Sequence, residues 1–201
     1  GGLAAYDGMV AGDELLRVYP DLHLEEAGAF ERVTQIKEQA FSKRMRERIL
    51  AAAKSLGLHT AIETSGFLGE RATDEYLKEL DLVILDIKSG DPETYLRVTR
   101  QPLAPTLRFA ERLAAMGKPV WVRYTLVPGL TDDPANVEAV AKFVAPMKNV
   151  EWVEVLPFHQ LGAFKWKELG LEYQLADTPP ASADLVARVH GQFRGAGCNV
   201  R

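Results

Sequence analysis

Apolar and polar positions change period repeatedly along the chain. From residue 43 onward, stretches with apolar residues three or four apart alternate with short, nearly continuous apolar runs. The first pattern predicts amphipathic helices and the second predicts strands. Residues 43–55 (KRMRERILAAAKS) place Met45, Ile49 and Ala53 on one helical face, with Gly57 as the stop. A strand is expected over 59–64, closed by Ser65-Gly66. Residues 72–80 read as a helix with Thr73 and Asp74 as capping candidates. Residues 82–88 read as a strand, 105–116 as a helix ending at Gly117, and 119–127 as a strand stopped by Pro128-Gly129. Then come a helix over 134–145 with Pro134 in its first turn, a strand over 150–158 and a last helix over 182–193.

Strand and helix alternating in this way imply an α/β fold with a parallel sheet and outer helices. Three of the strands end in polar or turn signatures, Ser65-Gly66, Ser89-Gly90 and Pro128-Gly129. Parallel α/β folds gather their sites at those C-terminal strand ends. Four strands alone do not close a barrel, so the pattern predicts an open sheet or part of a barrel. Residues 1–42 behave differently. They open Gly-rich, continue acidic and helix-prone with Pro20 as a break, and contain no clear strand. The organisation expected is therefore an atypical segment over 1–42 and an α/β unit over 43–201.

Composition narrows the function little. The formal net charge of −4 gives no basic footprint for nucleic acid. No apolar run is long enough to span a bilayer and no signal peptide opens the chain. The one cysteine, Cys198, allows no internal disulfide framework, which fits a reducing cytoplasm.

Charge placement is more informative. In LVILDIK (82–88), alternation sets Asp86 and Lys88 on one face and Val83, Leu85 and Ile87 on the other. Hiding a charge is costly unless it is paired. Either this is an edge strand with a wet face, or it delivers two charged groups to a site. Arg123 interrupts the apolar run PVWVRYTLV and needs an anionic partner, because it does not shed its charge. That partner is a ligand carboxylate, or Asp86 or Glu63 on neighbouring strands. Glu63 and Thr64 could gather oxygens with Asp86 around a hard cation, or Glu63 could pair with Arg123 or Lys88. His159 follows a strand end. Trp121, Trp152 and Trp166 read as packing residues. Val127-Pro128-Gly129 is a plain turn or a close backbone approach to a ligand.

Four strand-end stretches, Glu63-Thr64-Ser65-Gly66, Asp86-Ile87-Lys88, Arg123-Tyr124 with Val127-Pro128-Gly129, and Leu156-Pro157-Phe158-His159, occur in a telling order. So do VWVRYTLVPGLTDD (120–133) and NVEWVEVLPFHQLGAFKWKELGLEY (149–173). Together they resemble the glycyl-radical-enzyme activases of the radical S-adenosylmethionine superfamily, nearest to those acting on pyruvate formate-lyase. The likeness covers roughly residues 41–200. It implies a partial (βα) barrel with its opening strands missing or replaced. It implies S-adenosylmethionine as cofactor, contacted by Asp86, Lys88, Arg123 and His159. It implies a [4Fe-4S] cluster whose electron cleaves that cofactor to a 5'-deoxyadenosyl radical, which takes a glycine hydrogen from the partner enzyme. Lys165-Trp166 would lie in the region facing that partner.

Two departures accompany the likeness. The family's cluster loop, CxxxCxxC, is absent from this sequence, and Cys198 alone does not replace three thiolates. The family's GGE stretch is also missing at its usual place. Ala11-Gly12-Asp13-Glu14-Leu15-Leu16 is similar to its GGEPLL form, but lies too far ahead of Glu63 by most of a helix–loop unit. Three readings follow: an activase relative without radical activity on its own, a non-catalytic nucleotide- or partner-binding module derived from that fold, or a fragment that needs a second chain.

Overall fold

The computed structural model describes residues 43–201, with side chains from Ile49 onward. Two compact units are present, one ending at Leu58 and the other spanning His59–Arg201. The described part of the first is helix α1 (Lys43–Ser55) and its cap. Gly57, at φ +72°, closes it: Gly57 N–H donates to Lys54 O at 2.9 Å and Leu58 N–H to Ala53 O at 3.0 Å. That is the paired bonding of a glycine-capped helix end. The segment 1–42 lies outside the described residues.

The second unit is built on β1 (Ala61–Thr64), β2 (Leu82–Asp86), β3 (Val120–Leu126) and β4 (Val150–Pro157). They form one sheet in sequence order, and every neighbouring pair is parallel. Between and after them come a 3-10 turn (Gly69–Arg71), α2 (Asp74–Lys78), α3 (Pro92–Thr99), α4 (Ala104–Ala115) and α5 (Pro134–Val144). A second 3-10 turn (Gln160–Gly162), α6 (Ala163–Glu168) and α7 (Ala183–Gly195) complete the unit. Parallel crossovers are right-handed. With a strand order that never reverses, this handedness brings the crossover helices to the same face. The result is an open segment of a (βα) barrel rather than a doubly wound sheet.

The helix-covered face is the core. Val83, Leu85 and Ile87, Val120, Val122, Tyr124 and Leu126, and Val153 and Val155 are all buried. Tyr124 meets Phe193 of α7 edge-on, with ring centroids 5.7 Å apart. Phe109 of α4 closes over Leu85 at the Ser65-Gly66 turn, so tightly that a Cβ on Gly66 would come 2.8 Å from the Phe109 ring. Buried polar atoms there are matched. Tyr95 Oη and Thr106 Oγ1 share a 2.8 Å hydrogen bond, and Thr106 Oγ1 donates to Ser65 O at 2.7 Å. This ties the end of β1 to α3 and α4.

Helix α3 has no counterpart among the elements expected from periodicity. Its signal is local: Asp91 caps it, accepting from Thr94 N–H at 2.7 Å, and Pro92 opens the first turn. Length also argued for it, since a structureless run from 89 to 104 is unusual inside a compact domain. β2 lies between β1 and β3, so the edge-strand alternative for Asp86 and Lys88 does not hold. Past α7, Val200 forms a parallel bridge with Val153, and Arg201 N–H donates to Val153 O at 3.0 Å.

Candidate functional site

The other face of the sheet carries the charges. Parallel register sets Asp86 beside Arg123 and Arg123 beside Glu154, one row across β2, β3 and β4. One row toward the strand N-termini, Ile84, Trp121 and Trp152 line up. Trp121 and Trp152 stack at 4.1 Å between centroids, and the Arg201 guanidinium covers Trp152 at 3.4 Å. These two tryptophans pack on each other and on a cation rather than inside the core. Trp166 is exposed and touches Tyr173 at 5.6 Å. The packing expectation for Trp166 therefore gives way to a surface position.

Arg123 is gripped from both sides. Its Nη1 lies 2.5 Å from Glu63 Oε2, and its Nε donates to Glu154 Oε2 at 2.6 Å. Burial pulls the guanidinium pKa down, but the hydrogen bonds to Glu154 and Glu63 outweigh it and raise the value above the ordinary one. Of the structural partners foreseen, Glu63 for Arg123 and Arg123 for Glu63 are the ones realised, while Asp86 pairs with Lys88. Glu154 was not foreseen, although it stands in VEWVEVLPF as Arg123 stands in its own strand, a charge between apolar neighbours. Lys88 Nζ lies 2.9 Å from Asp86 Oδ1 and donates to Thr125 Oγ1 at 3.3 Å. Asp86, Lys88 and Arg123 therefore come together on the open face at the C-terminal half of the sheet. With Glu63 and Glu154 they make three carboxylates against two cations.

His159 lies beyond β4, exposed, with extended backbone. Its Nδ1 accepts from Leu161 N–H at 3.3 Å, which caps the second 3-10 turn and leaves the ring proton on Nε2. No contact joins it to the Asp86–Lys88–Arg123 cluster. Thr64 also stands apart. Its Oγ1 accepts from Gly66 N–H at 3.1 Å, and its register partner is Leu85 on the helix-covered face. The alternation that aims Glu63 at Arg123 turns Thr64 away, so Glu63, Thr64 and Asp86 do not form one set of oxygen ligands. Among the described residues no group of three or more His, Cys, Asp or Glu side chains gathers to hold a metal ion. The turn at Val127-Pro128-Gly129 is held by its own bonds. Gly129 sits at φ +72°, and its N–H donates to Asp132 Oδ1 at 2.7 Å.

An open segment of parallel strands with outer helices and a charged row on its uncovered face defines an α/β protein of the barrel class. Residues 13–143 match the model of the Radical SAM superfamily. The chain belongs to that superfamily. It is 39% identical over 150 residues to a pyruvate formate-lyase-activating enzyme of Staphylococcus epidermidis, covering 72% of this chain and 60% of that one. To the Staphylococcus aureus protein of the same name it is 38% identical over 157 residues, covering 74% and 62%. The chain thus spans about 60% of the length of the curated relatives it matches. In fold it is similar to a domain of a pyruvate-formate lyase-activating enzyme from Bacteroides vulgatus. The TM-score there is 0.65 at 20% identity, over 77% of this chain and 87% of that one. It also resembles Streptococcus suis SuiB bound to S-adenosylmethionine, with a TM-score of 0.55 at 14% identity over 77% and 33%. The family match opens at residue 13, within the Ala11–Leu16 stretch and well ahead of the likeness read from residue 41.

The superfamily implies an iron–sulfur cluster, and the residues of this chain do not fit one. Cys198 is its single cysteine. Its Sγ donates to Ala141 O of α5 at 3.7 Å, on the helix-covered side, and burial pushes the thiol pKa up. A ligand to iron has to be the thiolate. No described element of this chain is long and apolar enough to cross a membrane as a helix.

Proposed function

We propose that this chain is the S-adenosylmethionine-binding part of a glycyl-radical-enzyme activase, and that by itself it binds the cofactor without radical activity. The observation that carries the reading is the Asp86–Lys88–Arg123 row on the open face of a radical SAM fold. Lys88 offers a point charge to the methionyl carboxylate or a ribose hydroxyl, and Asp86 accepts from ribose hydroxyls. Arg123, oriented by Glu63 and Glu154, presents its remaining N–H groups to an anionic part of the ligand. His159 offers an Nε2 donor beside the adenosyl end.

S-adenosylmethionine supplies the family's radical chemistry when it is bound and reduced. The chain's own groups bind and orient it, and none of them supplies an electron. The partner in this reading is a glycyl radical enzyme such as pyruvate formate-lyase. Leu161, Phe164, Trp166, Leu169 and Leu171 are exposed on and around α6, beside Lys165. A concentrated apolar patch of that kind suits a protein partner.

Titration calorimetry with S-adenosylmethionine tests the reading. The parent chain should bind, and Lys88→Ala and Arg123→Ala should each weaken binding by about tenfold, the loss of one charge-assisted contact. A parent that binds no S-adenosylmethionine, or two variants that bind it as the parent does, would sink the assignment.

A further inference from the structure

The loops that follow β2 and β3 meet on one buried side chain. Asn136, the third residue of α5, is 5% exposed. Its Oδ1 accepts from Ser89 Oγ at 2.7 Å, Gly90 N–H at 2.7 Å and Asp91 N–H at 3.0 Å. Its Nδ2 donates to Thr131 O at 3.0 Å and to Tyr124 Oη at 3.2 Å. Chemistry fixes which way the amide points, because backbone N–H groups only donate and a carbonyl only accepts. The Tyr124 hydroxyl donates in turn to Thr131 O. Around it the loop lies hard on α5. A Cβ on Gly90 would come 2.8 Å from Val140 N and 2.9 Å from Asn136 O, both backbone atoms.

These partners bracket the charged row. Ser89, fully buried, follows Lys88 directly. Thr131 Oγ1 donates to Thr125 O at 2.7 Å and accepts from Val127 N–H at 2.8 Å. Lys88 Nζ reaches Thr125 Oγ1. Lys88 and its neighbour on β3 therefore both hang from backbone that Asn136 holds. We infer that Asn136 is a positioning residue for Lys88: it ties residues 89–91 to Thr131 and so fixes the ammonium against β3, without touching a ligand. The ligand side of this inference rests on the S-adenosylmethionine reading above, and its geometric side does not.

The test uses the full chain with Asn136→Ala, the isosteric Asn136→Asp and the milder Ser89→Ala, which removes the hydroxyl's bonds to Asn136 and Asp91 and leaves the amide its other partners. Amide exchange at Gly90 and Asp91 should speed up by about tenfold or more beyond any change at Val122 and Val153 in the sheet, as one lost hydrogen bond predicts. Calorimetry with S-adenosylmethionine should show Asn136→Ala weakening binding about tenfold, yet adding nothing in a Lys88→Ala background. Exchange that rises equally across the sheet, or equal losses in both backgrounds, would make Asn136 a stability residue only and overturn the inference. If the parent binds no S-adenosylmethionine, the ligand reading falls alone. The Lys88 ε-methylene NMR resonance then decides: it should move in Ser89→Ala and Asn136→Asp, and an unmoved resonance overturns the inference.

Discussion

Arg123 carries the argument at the scale of a residue. A guanidinium in an apolar strand predicted an anion nearby, and two carboxylates supply it, Glu154 on the adjacent β4 and Glu63 on β1 beyond β2. What alternation alone left open was which anion. That depends on register, since β1 and β4 deliver Glu63 and Glu154 only at one strand offset. The pair interactions are partly exposed, with Glu63 at 45% and Glu154 at 34%, so solvent screens them. Glu63→Gln and Glu154→Gln should each lower stability by no more than about 1 kcal/mol. In urea unfolding the double variant should lose more than Arg123→Ala predicts for either half alone, because both hold one group. Strictly additive losses, unchanged when Arg123 is alanine, would mean the grip contributes nothing.

At the scale of elements, the sequence made the strands legible and hid two helices, α3 and α6. The strands are short apolar runs, three of them with a turn signal behind, so their places could be read within two residues. Helix α3 escaped because its apolar face is thin: Tyr95 is buried while Leu96 and Val98 remain exposed. Its stability therefore leans on the cap. Asp91 accepts from Thr94 N–H, and that backbone hydrogen bond holds its carboxyl below the ordinary value. A carboxyl depressed on folding stabilises the protein above its unfolded value, and the gain disappears as pH falls through the folded one. Asp91→Ala should cost about 1 kcal/mol at neutral pH. Parent and variant should converge as pH falls below the ordinary aspartate range and the depressed carboxyl takes up its proton. A gap that stays constant down that range would assign the loss to something other than the charge. Asp86, Lys88 and Arg123 were legible for the same reason as the strands, while Glu154 was not. His159 and Thr64 were harder, because a side chain beyond the ladder, or on the far side of a strand, follows local bonding that periodicity does not encode. Asn136 lay outside any motif, since its role exists only where two loops meet.

For the whole molecule, two features pull in different directions. The family match and the parallel barrel segment tie the chain to proteins whose chemistry starts at an iron–sulfur cluster. The chain itself holds one cysteine, half-buried on the helix-covered side. In the proposed reading the open face carries the groups for a nucleotide ligand, while three thiolate ligands for iron are not supplied by these 201 residues. The account consequently separates cofactor binding from redox chemistry within one chain. Anaerobic reconstitution with iron and sulfide, followed by desalting and metal analysis, tests that separation most directly. The account predicts essentially no retained iron and no broad visible absorbance, whereas about four irons per chain, the content of a cubane cluster, would contradict it.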